Sequence, residues 1–133
     1  MAEVKRVTRS QNRPLSPHLQ IYRIQITSVS SILTRITGQA LMAGVILGVW
    51  WLAAAATSDA AFAAANRVAT SWFGDLVFTG SLWAVWYHYL AGLRHLWFDA
   101  GHGLEIRTAE RLGWACVIGS VVLTVLTVVL LHV

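Results

Sequence analysis

Between Trp83 and Asp99 the sequence WAVWYHYLAGLRHLWFD sets two histidines, an arginine and an aspartate within, or at the end of, an apolar run. Ionisable side chains at membrane depth are costly to desolvate, and where they occur they mark an ion, proton or cofactor site. Their spacing groups them. His88 and His95 are seven residues apart, which at about 100° per residue brings them within roughly 20° on one helix face. Ser81 and Asp99 fall near the same line, and Gly92 lies about 40° from it. The opposite face is Leu, Trp and Val.

Neutral imidazole inside a helix bundle is an axial ligand for haem iron. The alternative for His88 is a histidine that hydrogen-bonds a neighbouring helix carbonyl. His95 is two turns nearer the cytoplasmic end, about 10 Å along the axis, with Arg94 beside it in sequence. Groups at that distance suit the propionates of a haem standing along the membrane normal. His18 and His102 belong to the cytoplasmic surface and His132 to the opposite one. A second axial histidine is therefore expected from another chain.

Arg35 heads the first long apolar run, with Ser31 one turn earlier on the same face. Two roles are open to it. It is a snorkelling anchor, or the hydroxyl and guanidinium together bind a quinone carbonyl or a propionate and stabilise a developing quinol oxyanion. Cys116 is the sole cysteine, so the chain has no internal disulfide and cannot hold an iron–sulfur cluster alone. A packed, inert thiol is expected there. Phosphate-binding loops, a nucleophile elbow and an HExxH string are all absent from the sequence. Redox chemistry must come from a cofactor or a partner.

The elements that position these residues follow from hydropathy. The chain of 133 residues is 56% hydrophobic and 12% charged, too apolar for so small a soluble domain to bury. Six of the ten Lys/Arg residues precede the first long apolar run. That bias orients the N-terminus to the cytoplasm or its equivalent, and the net charge of +4 is a membrane-orientation signal with no bearing on nucleic acid. A cleavable signal peptide is not expected. Residues 1–26 form a cytoplasmic segment in which Pro14 and Pro17 bias Arg13–Tyr22 to an extended strap. Transmembrane helices are expected over 27–56, starting near Ser28, Ser30 and Ser31, over 71–99 and over 112–131. A short interfacial helix, capped by Ser58 or Asp59, lies within 57–70, and a cytoplasmic loop spans 100–111. Ala40, Gly44 and Gly48 form a small-residue stripe for close helix approach. The fold class is all-α: an integral membrane protein of three transmembrane helices in a single domain, N-terminus in and C-terminus out. A haem-binding bundle built on it is expected to be completed by another subunit. Three helices without broken-helix repeats do not make an alternating-access transporter.

RPLSPHLQIY at 13–22, SILTRITG at 31–38 and HYLAGLRHLWFD at 88–99 together resemble the cytochrome b subunit of succinate dehydrogenase, the larger membrane anchor of respiratory complex II. The resemblance covers essentially the whole chain. It implies a second small three-helix anchor as partner, with a flavoprotein and an iron–sulfur subunit held on the bacterial inner or mitochondrial inner membrane. Electrons from succinate would reach ubiquinone near the cytoplasmic or matrix face. A b-type haem would sit between the anchors, with one axial histidine from each. The family's haem histidine matches His88, and its quinone-site serine and arginine match Ser31 and Arg35. Arg94, His95 and Asp99 match the rest of the second motif, the basic pair as propionate or structural partners. Many relatives carry histidine where Thr34 stands here, and that histidine is associated with the propionates. A purely structural, haem-free anchor and a fumarate reductase anchor are the rival readings.

Overall fold

The computed structural model describes residues 23–132; the basic N-terminal segment, the Arg13–Tyr22 strap and His18 lie outside the described residues. Four helices follow one another, α1 (Ile26–Thr57), α2 (Asp59–Ala69), α3 (Trp72–Asp99) and α4 (Ile106–His132). Helix α3 packs against both α1 and α4, and α2 closes the end where α1 hands over to α3.

Helix starts follow local chemistry at two of the junctions. The Ser58 Oγ accepts the Ala61 N–H at 3.2 Å and the Ser71 Oγ accepts the Gly74 N–H at 3.2 Å. Each hydroxyl satisfies a backbone donor that the first turn leaves orphaned. Asp59 lies in the first turn of α2 and Arg67 in its last, where each charge opposes the helix dipole. The Phe62 ring meets Trp51 at 5.5 Å between centroids, tying α2 to α1.

Two boundaries differ from the sequence reading. Helix α1 begins at Ile26 behind Gln25, which makes no side-chain cap bond, so Ser28, Ser30 and Ser31 lie inside the helix. Ser30 is fully buried and directs its polar atoms to α3, as described below. Helix α4 begins at Ile106, well before Leu112, so that Arg107, Glu110 and Arg111 occupy its first turns. Charge bars a residue from hydrocarbon, not from a helix, and Arg and Glu are good helix formers.

The turn between α3 and α4 is closed by a Schellman arrangement. Gly101 has φ 78°, its N–H donates to the Phe98 carbonyl at 2.9 Å, and the His102 N–H donates to the Trp97 carbonyl at 3.2 Å. The Trp97 and His102 rings stack at 4.7 Å. Left-handed backbone is what makes glycine the fitting residue at 101.

The interior is small and the exterior is apolar. Tyr87, Ala91 and Cys116 form the buried centre, with Leu33, Trp83, Leu90 and Val117 packed around it. Cys116 is a buried free thiol, as expected. Ile46, Leu52, Leu96 and Leu130 point outward and are each well over half exposed. This inversion of the soluble pattern suits lipid, where helix contacts favour small residues that let backbones approach. Two buried hydroxyls are satisfied within their own helices: Thr37 donates to the Leu33 carbonyl at 2.8 Å and Thr124 to the Ser120 carbonyl at 2.7 Å. The indole of Trp86 donates to Thr127 Oγ1 at 3.1 Å and ties α3 to α4. Helices α1 and α4 are both long and apolar enough to cross a membrane. Helix α3 has comparable length, 28 residues, with the ionisable residues of the functional stretch lowering its apolar character.

Candidate functional site

Helices α1 and α3 meet where SILTRITG faces HYLAGLRH. The His88 Nδ1 lies 3.1 Å from the Thr34 carbonyl oxygen and 3.3 Å from Thr37 Oγ1. A carbonyl can only accept, so Nδ1 carries the proton and donates. The Thr37 hydroxyl hydrogen is directed at the carbonyls of Leu33 (2.8 Å) and Thr34 (3.1 Å), which leaves an oxygen lone pair for the imidazole. Nε2 is then the unprotonated nitrogen, and it has no partner among the described residues. Gly38 lies against the ring, since a Cβ at this position would stand 3.1 Å from His88 Cε1.

Thr34 meets His88 through its backbone alone. Its own hydroxyl donates to the Ser30 carbonyl at 2.8 Å. Threonine in place of histidine at this position therefore leaves the Nδ1 contact intact.

From Thr37 a groove of about 390 Å³ runs between α1 and α3 past Ala40, Gly44, Gly80 and Ser81, with Leu76 and Trp83 also lining it. The stripe Ala40–Gly44 borders the groove, and Gly48 lies further out, with open space where a Cβ would be added.

Arg94 and His95, neighbours in sequence, are separated by the fold. Arg94 is only 7% exposed. Its Nη1 donates to Ser30 Oγ, its guanidinium carbon lies 5.6 Å from the Phe98 ring centroid, and its Nε has no partner among the described residues. The Ser30 carbonyl also accepts the Tyr87 hydroxyl at 3.1 Å. Gly113 of α4 lies beside the guanidinium. Arg94 thus points into the bundle, about 120° around the helix from His88, with its guanidinium on Ser30 of α1. His95 and Asp99 are exposed, with His95 on the side of His88. One residue along a helix turns a side chain by about 100°, and that rotation decides between them.

Ser31 is half-buried and Arg35 exposed on α1, one turn apart, and neither side chain makes a hydrogen bond or ion pair to another described residue. Sequence reasoning did not single out Ser30, Gly38 or Tyr87 as contacts. The signal for one stripe was present: Ser30, Thr34 and Thr37 recur at helical spacing on one face of α1.

A family profile described as succinate dehydrogenase/fumarate reductase transmembrane subunit matches residues 9–127. The chain belongs to this family. It is 56% identical over 133 residues to the succinate dehydrogenase cytochrome b556 subunit of Paracoccus denitrificans, covering 100% of this chain and 99% of that one. It is 40% identical over 114 residues to the cytochrome b556 subunit of Rickettsia conorii, covering 86% of this chain and 89% of that one. With the cytochrome b560 subunit of Reclinomonas americana it shares 38% over 108 residues, 77% of this chain and 75% of that one. All three sequence motifs fall within the matched span. The chain groups with the cytochrome b subunits of succinate dehydrogenase, membrane proteins of a respiratory complex.

The donor set suits a haem. A ligating histidine ordinarily donates its second ring N–H to a carbonyl or carboxylate, which holds the ring and raises its basicity. His88 has that arrangement, with Nε2 left for a metal and Gly38 allowing the ring to sit close against α1.

Proposed function

We propose that this chain is the haem b membrane anchor of a succinate:ubiquinone oxidoreductase. It spans the membrane three times, through α1, α3 and α4, with the N-terminus on the cytoplasmic or matrix side. His88 would hold the haem iron through Nε2, and a histidine of a second small anchor subunit would complete the coordination. His95, on the same face and nearer the cytoplasmic end, would contact the propionates. Arg94 holds α1 and α3 together through Ser30. When bound, the b-type haem supplies one-electron transfer within the membrane.

Ser31 and Arg35 bind ubiquinone at the edge of α1. The exposed guanidinium donates hydrogen bonds to a quinone oxygen and stabilises the negative charge that grows there during reduction. The residues for succinate itself belong to the flavoprotein, which this anchor holds to the membrane together with the iron–sulfur subunit. Relatives at 56% and 40% identity carry succinate dehydrogenase in their names, which favours this direction over fumarate reduction.

The observation that carries the reading is the anchored His88, donating through Nδ1 to the Thr34 carbonyl while Nε2 is unpaired. The test is the reduced-minus-oxidised spectrum of the complex purified with its partners. His88→Leu is expected to abolish or alter the low-spin b-type bands while the complex still assembles. An unchanged spectrum in that variant would refute haem ligation by His88.

A further inference from the structure

The Nδ1–H of His88 has two acceptors, and only one of them is a side chain. We infer that Thr37 is a positioning residue for the haem ligand: its hydroxyl shares the Nδ1–H with the Thr34 carbonyl, fixes the ring's plane and raises the electron-donating power of Nε2, thereby lowering the potential of the bound haem. The inference rests on the proposed ligation by His88 and adds a role for a residue that makes no contact with the cofactor's iron.

The geometry supplies each step. Thr37 is 1% exposed and so does not exchange this contact for water. Its hydrogen is committed to the Leu33 and Thr34 carbonyls at 2.8 and 3.1 Å, so towards His88 it can act only as an acceptor. The two acceptors lie 3.1 and 3.3 Å from Nδ1, both contributed by one turn of α1. Two acceptors on one N–H restrain rotation about the Cβ–Cγ bond more than one does, because the ring must point Nδ1 between them. Acceptors on Nδ1–H give the imidazole partial anionic character, which favours the more positive oxidation state of a metal on Nε2. The carbonyl is present whatever residue stands at 34. The hydroxyl depends on threonine or serine at 37, so this half of the arrangement is open to substitution.

The experiment uses the assembled complex, purified with its haem, and measures the haem midpoint potential together with the low-spin electron paramagnetic resonance g-values. Thr37→Val, close in shape and without the acceptor, is expected to raise the potential and shift the g-values. Thr37→Ser is expected to keep both at wild-type values. An unchanged potential and unchanged g-values in Thr37→Val would overturn the inference. If Thr37→Val fails to assemble, Thr37→Ala, which only removes atoms, carries the same expectation. Failure of both to assemble would assign Thr37 to bundle stability and overturn the positioning role. His88→Leu separates this inference from the reading beneath it. A normal haem in His88→Leu removes the ligation itself, whereas an altered haem in His88→Leu with an unmoved Thr37→Val removes only the role of Thr37.

Discussion

Gly38→Ala is the most demanding single perturbation of the proposed haem site. The added Cβ would stand 3.1 Å from His88 Cε1, where ordinary contacts begin at 3.4 Å. The imidazole is held from α1 by hydrogen bonds of 3.1 and 3.3 Å, so it cannot slide along the helix without loosening them. Withdrawal by about 0.3 Å takes the shorter one beyond the usual N–H···O range of about 3.2 Å and weakens the longer one further. The cost combines overpacking, about 1–3 kcal/mol, with a weakened hydrogen bond, about 0.5–1.5 kcal/mol. A total near 3 kcal/mol corresponds to roughly a hundredfold loss in haem affinity (a factor of ten per about 1.4 kcal/mol). The assay is haem per complex after purification at graded detergent dilution, read from the reduced spectrum. Gly48→Ala is the matched control, since a Cβ there meets nothing within 4 Å and alanine improves helix propensity. Equal haem retention in the two variants would refute the packing of His88 against α1.

Two further outcomes follow from the polar residues on α1. Arg35→Leu is expected to lower electron transfer to ubiquinone at least tenfold while transfer from succinate to a soluble acceptor is unchanged, because loss of a charge-assisted donor at a developing oxyanion costs on the order of 2–4 kcal/mol; equal losses in both assays would exclude a quinone-site role. Ser30→Ala is expected to cost about 1.5–3 kcal/mol of bundle stability, since it removes the hydroxyl that accepts from the charged Arg94, whereas Tyr87→Phe costs about 0.5–1.5 kcal/mol because the Ser30 carbonyl keeps its bond from Thr34 at 2.8 Å. Unfolding of the purified complex in graded dodecyl sulfate ranks the two, and the reverse order would contradict the proposed pin.

Local chemistry carried much of this protein's organisation into its sequence. The apolar runs, the serine caps before α2 and α3, the buried cysteine and the seven-residue spacing of His88 and His95 all depend on neighbours within a few turns. So does the family resemblance, whose motifs are contiguous strings of residues. Helix ends were less legible where charge was read as loop. Arg107, Glu110 and Arg111 belong to α4 because a helix continues into water as readily as it crosses lipid.

Tertiary structure decided which face of each helix meets which neighbour. Periodicity placed His88, Arg94 and His95 around one axis but carried no information on how α3 is rotated against α1 and α4. That rotation sends Arg94 inward to Ser30, leaves His95 exposed and brings the Nδ1 of His88 to Thr34 and Thr37 on a helix more than fifty residues away in sequence. It is set by small residues, Gly38 against His88 and Gly113 beside Arg94, whose packing depends on the partner surface and so has no signature in either helix alone. The stretch from Trp83 to Asp99 announced a site by itself. Only its docking on α1 determined which nitrogen of His88 is hydrogen-bonded and which is left unpaired among the described residues.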